Sequence, residues 1–87
     1  LEFGQAVCGR TAESRRVNYW PDLQAAADAS TAGLKAIGIG VYQCHPLEAG
    51  GHLLGTLGFG SRRKTAYEAE ERTLLEAVSR HVAAVLA

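Results

Sequence analysis

Cys8 and Cys44 are the two thiols of this 87-residue chain, and His45, His52 and His81 its three imidazoles. Thiol catalysis needs a deprotonated sulfur and, where it runs through a disulfide, a second thiol to resolve it. A zinc or haem site needs several ligands that converge. The two cysteines lie too far apart in sequence for a zinc-ligand motif, and two do not make a disulfide framework. Their residue type reads as small, buried and apolar, with reduced thiols in a cytosolic protein. If both border one pocket they approach each other, and a redox response becomes available. His45 and His52 fall near a turn and His81 on a helix, so no metal is assigned and any cofactor stays unidentified. Tyr19, Trp20 and Tyr42 read as core or pocket-wall aromatics.

The elements that must position these groups can be read from the pattern. Residues 4–13 predict a short helix carrying Ala6, Val7 and Cys8 near a buried face, weakened by Gly9. Ser14-Arg15-Arg16 is a turn. Val17 to Trp20 alternates like a strand that Pro21 ends at a sheet edge. Residues 22–29 suit a loop or a single helical turn. Ser30 or Thr31 is placed to cap a helix over 31–37 that Gly38 closes. Two strands, 39–47 and 52–60, follow around a Gly50-Gly51 turn. Thr65 and Glu68 have capping-box spacing ahead of a helix over 66–86. Leu75, Val78, Val82 and Val85 form its apolar stripe, widened by Leu74 and Leu86, with Glu68–Arg72 and Glu76–Arg80 as i,i+4 pairs. The stripe can cover the sheet or join the same helix of a second chain, which predicts a homodimer.

The two strands present unlike faces. Ile39, Val41, Leu53, Leu57 and Phe59 make a bulky face that reads as core. Gly40, Tyr42, Cys44, Thr56, Gly58 and Gly60 make a face of small and mildly polar residues, which leaves room for a small ligand or a loop. The fold class is α+β, an antiparallel sheet with flanking helices.

Composition narrows the partners. The chain is 47% apolar and 21% charged, an ordinary globular balance in a length that suits one small domain. Formal net charge is zero, which argues against a nucleic-acid partner. The basic run Arg62-Arg63-Lys64 reads as a solvated loop. No apolar run has the length of a membrane span and no secretory leader opens the chain, so neither membrane nor export is expected.

The arrangement resembles a GAF domain, the small-molecule sensing module of signalling proteins, with a PAS-like sheet. Four blocks carry the resemblance: Phe3 to Gly9; Val17 through Pro21-Asp22-Leu23; Gly38 to Leu47 with Leu54-Gly55-Thr56-Leu57 and Gly60-Ser61; and the acidic helix start with Leu74-Leu75 and its alanine- and valine-rich tail. They span nearly all of the chain, which is expected to be a single partial domain over 1–87 that lacks the family's first strands. The resemblance implies a ligand wall of Val7, Cys8, Thr11, Gly40, Tyr42, Cys44, Thr56, Gly58 and Gly60. It also implies a signalling helix with Leu75, Val78, Val82 and Val85 on its contact stripe. The expected role is a cytoplasmic sensor in a two-component histidine kinase, passing ligand state to the output kinase or another effector domain. A dimerisation module that binds nothing is the first alternative, and a GAF enzyme like the free methionine sulfoxide reductases the second.

Three sharper family readings rank lower when checked residue by residue. Bilin attachment uses a cysteine-histidine pair, but Cys44-His45 lies in the wrong element, on a strand that splits the pair across two faces. Free methionine sulfoxide reductases have a cysteine that Cys8 resembles, yet their nucleophile falls in the segment matching Asp28 to Thr31, which has none. Their acidic residues correspond to Gly58 and Gly60. The nucleotide-binding signature of other GAF domains is missing. The expectation is therefore that the chain is not an enzyme.

Overall fold

The computed structural model describes the backbone from Gln5 to Ala87 and the side chains from Val7 onward. Residues 1–4 and the side chains of Gln5 and Ala6, which include the start of the first block above, lie outside the described residues. Helix α1, Gln5–Ser14, opens the fold. Arg15 ends it at φ 55°, with its N–H donating to the Thr11 carbonyl at 2.8 Å. Strand β1 is Asn18–Trp20, and single 3-10 turns at Leu23–Ala25 and Ala29–Thr31 lead to the short helix α2, Ala32–Ala36. Strands β2, Val41–Ala49, and β3, His52–Ser61, flank Gly50 and Gly51, whose φ of 59° and 79° supply the left-handed turn a side chain would strain. Helix α3, Ala69–Leu86, closes the chain.

The sheet runs β1-β2-β3, antiparallel throughout, which makes the expected α+β architecture that of the structure. β2 is its centre. Trp20 pairs with Tyr42 on one side, and Tyr42 with Gly60 on the other. A bulge at Leu47/Glu48 shifts the register just before the turn.

Two predicted helix starts move, each because backbone groups are used elsewhere. Thr31 stands at the N-cap of α2, but its side chain makes no capping bond. Its hydroxyl donates to the Asp28 carbonyl at 2.7 Å, while the Asp28 carboxylate accepts from the Ser30 N–H at 2.8 Å and caps the 3-10 turn. The last helix begins at Ala69 rather than 66. The Thr65 carbonyl accepts the Asp22 N–H at 2.7 Å, and the Tyr67 N–H donates to the Tyr19 hydroxyl at 3.0 Å. Its capping box is Glu68 with Glu71, whose carboxylate accepts the Glu68 N–H at 2.8 Å.

The largest buried cluster lies on the opposite face of the sheet from the one expected, although Val41, Leu47 and Ala83 are buried on the expected side. Val7, Leu23, Leu34, Tyr42 and Cys44 form the buried cluster, with Cys8, Trp20 and Ile39 packed against it. Ile39 joins this side because β2 begins only at Val41, after the bend at Gly40, so strand alternation does not reach back to it. Val41, Gln43, His45, Leu57 and Phe59 take the other face, under α3. The buried stripe of α3 is rotated from the predicted one. Ser79 and Ala83 are buried and Leu75 and Val82 half-buried, whereas Val78 is 38% and Val85 72% exposed.

Candidate functional site

The α1 side of β2 gathers most of the predicted ligand wall. Alternation on β2 sends Tyr42 and Cys44 toward α1, and their partners on β3 are Gly60 and Gly58. From α1, Val7, Cys8 and Thr11 meet them. The two thiols come together: Cys8 Sγ lies 3.1 Å from Cys44 Sγ and 3.4 Å from the Tyr42 hydroxyl. Both cysteines are free; Cys44 is wholly buried and Cys8 only partly so. Thr11 is buried beside them, its hydroxyl donating to the Val7 carbonyl at 3.1 Å and accepting from Asn18 Nδ2 at 2.8 Å.

The room expected beside Gly58 and Gly60 is taken by Tyr42. A Cβ on Gly58 would overlap the Tyr42 hydroxyl, and one on Gly60 would lie 3.2 Å from its ring. These glycines seat an aromatic ring of the chain itself. Gly40 stands apart from the group. It packs against the Lys64 carbonyl and lines a cavity of about 140 Å³ with Asp22, Gln24, Ala25 and Thr65.

Burial sets the electrostatics of the thiol cluster. The Cys44 thiol is pushed up to about 12, first by desolvation and then by its bond with Cys8, against smaller contributions from Thr11 and Thr56. The Tyr42 phenol is raised for the same leading reason, with Cys8 next. Both therefore keep their protons at neutral pH. Nearby, Arg10 ties α1 to the loop through Asp28 at 2.9 Å, and the Ser30 and Arg10 bonds hold the Asp28 carboxyl down at about 2.

The α3 side carries a second polar group, which pattern reading missed. His45, on the strand expected over 39–47, lies in the central strand opposite Leu57 and is buried, with Phe59 edge-on at 5.8 Å. Arg72 Nε donates to Gln43 Oε1 at 3.0 Å, and Gln43 Nε2 lies 2.6 Å from His45 Nε2. With its oxygen taken, the Gln43 amide can only donate, so His45 Nε2 accepts and its proton sits on Nδ1. Burial lowers the His45 pKa, while Glu76 opposes and Arg72 reinforces the shift. Arg72 thus turns inward, over the Tyr19 ring at 3.9 Å, and leaves the predicted pairing with Glu68; the Glu76–Arg80 pair forms at 3.6 Å. The available signal was the i, i+2 spacing of Gln43 and His45 on a strand facing polar positions 72, 76 and 79 of a helix. Two cavities of about 280 and 300 Å³ border this group, both lined by Val17, His45 and Glu76.

His52 and His81 are exposed. Among the described residues no three His, Cys, Asp or Glu side chains converge as metal ligands. No described helix is long and apolar enough to cross a membrane.

The chain has recognisable relatives. A family model described as the GAF domain matches residues 1–87. Among curated proteins none matches the chain. The solved structure of type II free methionine-R-sulfoxide reductase from Thermoplasma acidophilum is similar in fold, with a TM-score of 0.71 at 15% identity over 99% of this chain. The match spans 59% of that protein's chain, and at this identity the likeness is one of fold. It corrects the expectation that the chain is not an enzyme. An enzyme is built on this same fold. In this chain Cys44 stands beside Cys8, while the segment Asp28 to Thr31 holds no cysteine.

Proposed function

The chain belongs to the GAF domain family, a family of sensing and regulatory modules, and on that premise we propose that it is the sensor of a cytoplasmic signalling protein of the two-component histidine-kinase kind. The observation that carries the proposal is the position of β2. Tyr42 and Cys44 face α1 while Gln43 and His45, on the same strand, face α3. A change at the α1 face that moves β2 also moves the groups that hold α3. An unidentified small molecule is the input, bound by the wall of Val7, Cys8, Thr11, Tyr42, Cys44 and Thr56. Its entry requires the Tyr42 ring to leave the seat made by Gly58 and Gly60.

Output runs through α3. Its outer side bears Leu74, Val78 and Val85, at 62, 38 and 72% exposure, in one helical stripe. A second copy of the chain is the proposed partner, and an effector domain in the parent protein the receiver. A ligand shifts such a helix only by binding one arrangement better than the other. Native mass spectrometry of the freshly purified protein tests both parts. A retained small molecule and a dimer mass support the proposal; an unliganded monomer at high concentration counts against it.

A second reading is favoured by the paired thiols: reduction of free methionine sulfoxide through a Cys8–Cys44 disulfide. Incubation with the sulfoxide and dithiothreitol, followed by amino-acid analysis, decides it. Methionine formed by the wild type but not by Cys8→Ser supports it, and no methionine removes it.

A further inference from the structure

We infer that Cys8 and Cys44 are a peroxide-responsive pair that closes to an intramolecular disulfide, with Cys8 as the sulfur oxidised first and Cys44 as the one that resolves it. The inference deepens the regulatory reading and rests on it only for the downstream signal; the bond itself depends on these two side chains. Three features of the geometry support it. The sulfurs are 3.1 Å apart, so a bond of about 2.05 Å needs them to close by only about 1 Å. The two are unequally accessible. Cys8 is partly exposed while Cys44 is wholly buried in the central strand, so a small oxidant from solvent meets Cys8. The Tyr42 hydroxyl lies 3.4 Å from Cys8 Sγ and keeps its proton, so it can donate to that sulfur when it is ionised.

The chemistry balances in two steps. The Cys8 thiolate attacks one oxygen of hydrogen peroxide and the O–O bond breaks. The departing hydroxide takes up the proton that Cys8 released and leaves as water, and Cys8 becomes a sulfenic acid. The Cys44 sulfur then attacks the Cys8 sulfur. The S–O bond breaks, and the hydroxyl leaves as a second water with the Cys44 proton. Two thiols lose two electrons and one peroxide gains them. The product ties α1 covalently to β2 and removes the thiol that Tyr42 contacts, which places the change on the strand that also holds α3 through Gln43.

The experiment treats the full chain with a small excess of hydrogen peroxide and then quenches and denatures it. Thiol titration is expected to fall from two per chain to none. Intact mass should drop by about 2 Da, the two hydrogens lost, and dithiothreitol should restore both values. A non-reducing peptide map should show Cys8 joined to Cys44 within one chain. Cys44→Ser should leave Cys8 to gain oxygen, and Cys8→Ser should leave Cys44 as a thiol. The wild-type peptide map stands as a test even if a variant fails to fold. Two intact thiols, a link found only between two chains, or an oxygenated Cys8 beside an unreacted Cys44 in the wild type would each overturn the inference. A parallel arm with free methionine sulfoxide in place of peroxide reports on the reductase reading separately, since peroxide closure needs no methionine product.

Discussion

The two faces of β2 are built on different principles although their residues alternate along one strand. The α1 face is dry: Tyr42 and Cys44 pack with Val7, Leu23 and Leu34, and two glycines are cut away to seat the Tyr42 ring. The α3 face is held by directed bonds, Arg72 to Gln43 to His45, beside two cavities. Dispersion and burial are tolerant of direction but not of volume. A hydrogen-bonded chain tolerates volume changes but depends on the protonation of each member. The two faces should therefore fail in different ways, one to changes of size and the other to changes of charge and pH.

The largest expected effect is on the dry face. Leu23→Ala removes a fully buried side chain from the cluster and should cost about 3 kcal/mol, the middle of the usual range for such truncations, read as a lower denaturant midpoint at unchanged slope. Gly58→Val should cost about 2 kcal/mol because its side chain overlaps Tyr42, whereas Gly9→Ala, with open space around it, should be neutral or slightly stabilising. Equal effects of the two glycine changes would break the contrast in packing.

On the other face, Gln43→Leu keeps volume but removes the link between Arg72 and His45. A loss of about 1–2 kcal/mol is expected from buried polar groups left without partners, together with a changed titration of His45 followed by NMR.

The smallest effect sharpens the comparison through pH. His45 is held neutral, its pKa below the ordinary 6.5. The unfolded chain takes up this proton as pH falls through about 6.5 while the folded chain does not. Its contribution is therefore complete above that value and declines as pH drops toward the folded pKa. Protonation also places an N–H against the donating Gln43 amide. Of the groups around it, Glu76 moderates the effect and Arg72 strengthens it. Denaturation between about pH 7 and 5 should show an acid-side loss that His45→Leu reduces and Tyr42→Phe leaves in place. A slope unchanged by His45→Leu would show that the polar face is not the pH-dependent one.

Much was legible in local pattern. The Gly50-Gly51 turn, the strand pair around it, the end of α2 at Gly38 and the existence of α3 follow from residues whose conformational limits act within a few positions. The alternation that separates Tyr42 and Cys44 from Gln43 and His45 is equally local, since successive side chains on a strand must point to opposite faces. The grouping of Val7, Cys8 and Thr11 with Tyr42 and Cys44 came from family likeness and has no local cause.

What local pattern did not contain is which face would hold the larger buried cluster and which side of α3 would be buried. The bulky face looked like the interior because volume correlates with burial. Yet Leu23 and Leu34, from segments that resembled loop and a minor helix, arrive on the small-residue face and complete the cluster there. Helix starts at 31 and 66 moved because Asp28, Asp22 and Tyr19, distant or outside the helix, claim the backbone groups of those turns. The thiol pair is the plainest case. The amino-acid sequence by itself determined that Cys8 sits on a helix and Cys44 on a strand. Only the tertiary structure decided that the sulfurs meet at 3.1 Å, because their separation depends on how α1 packs across β2, and no local conformational preference encodes that packing.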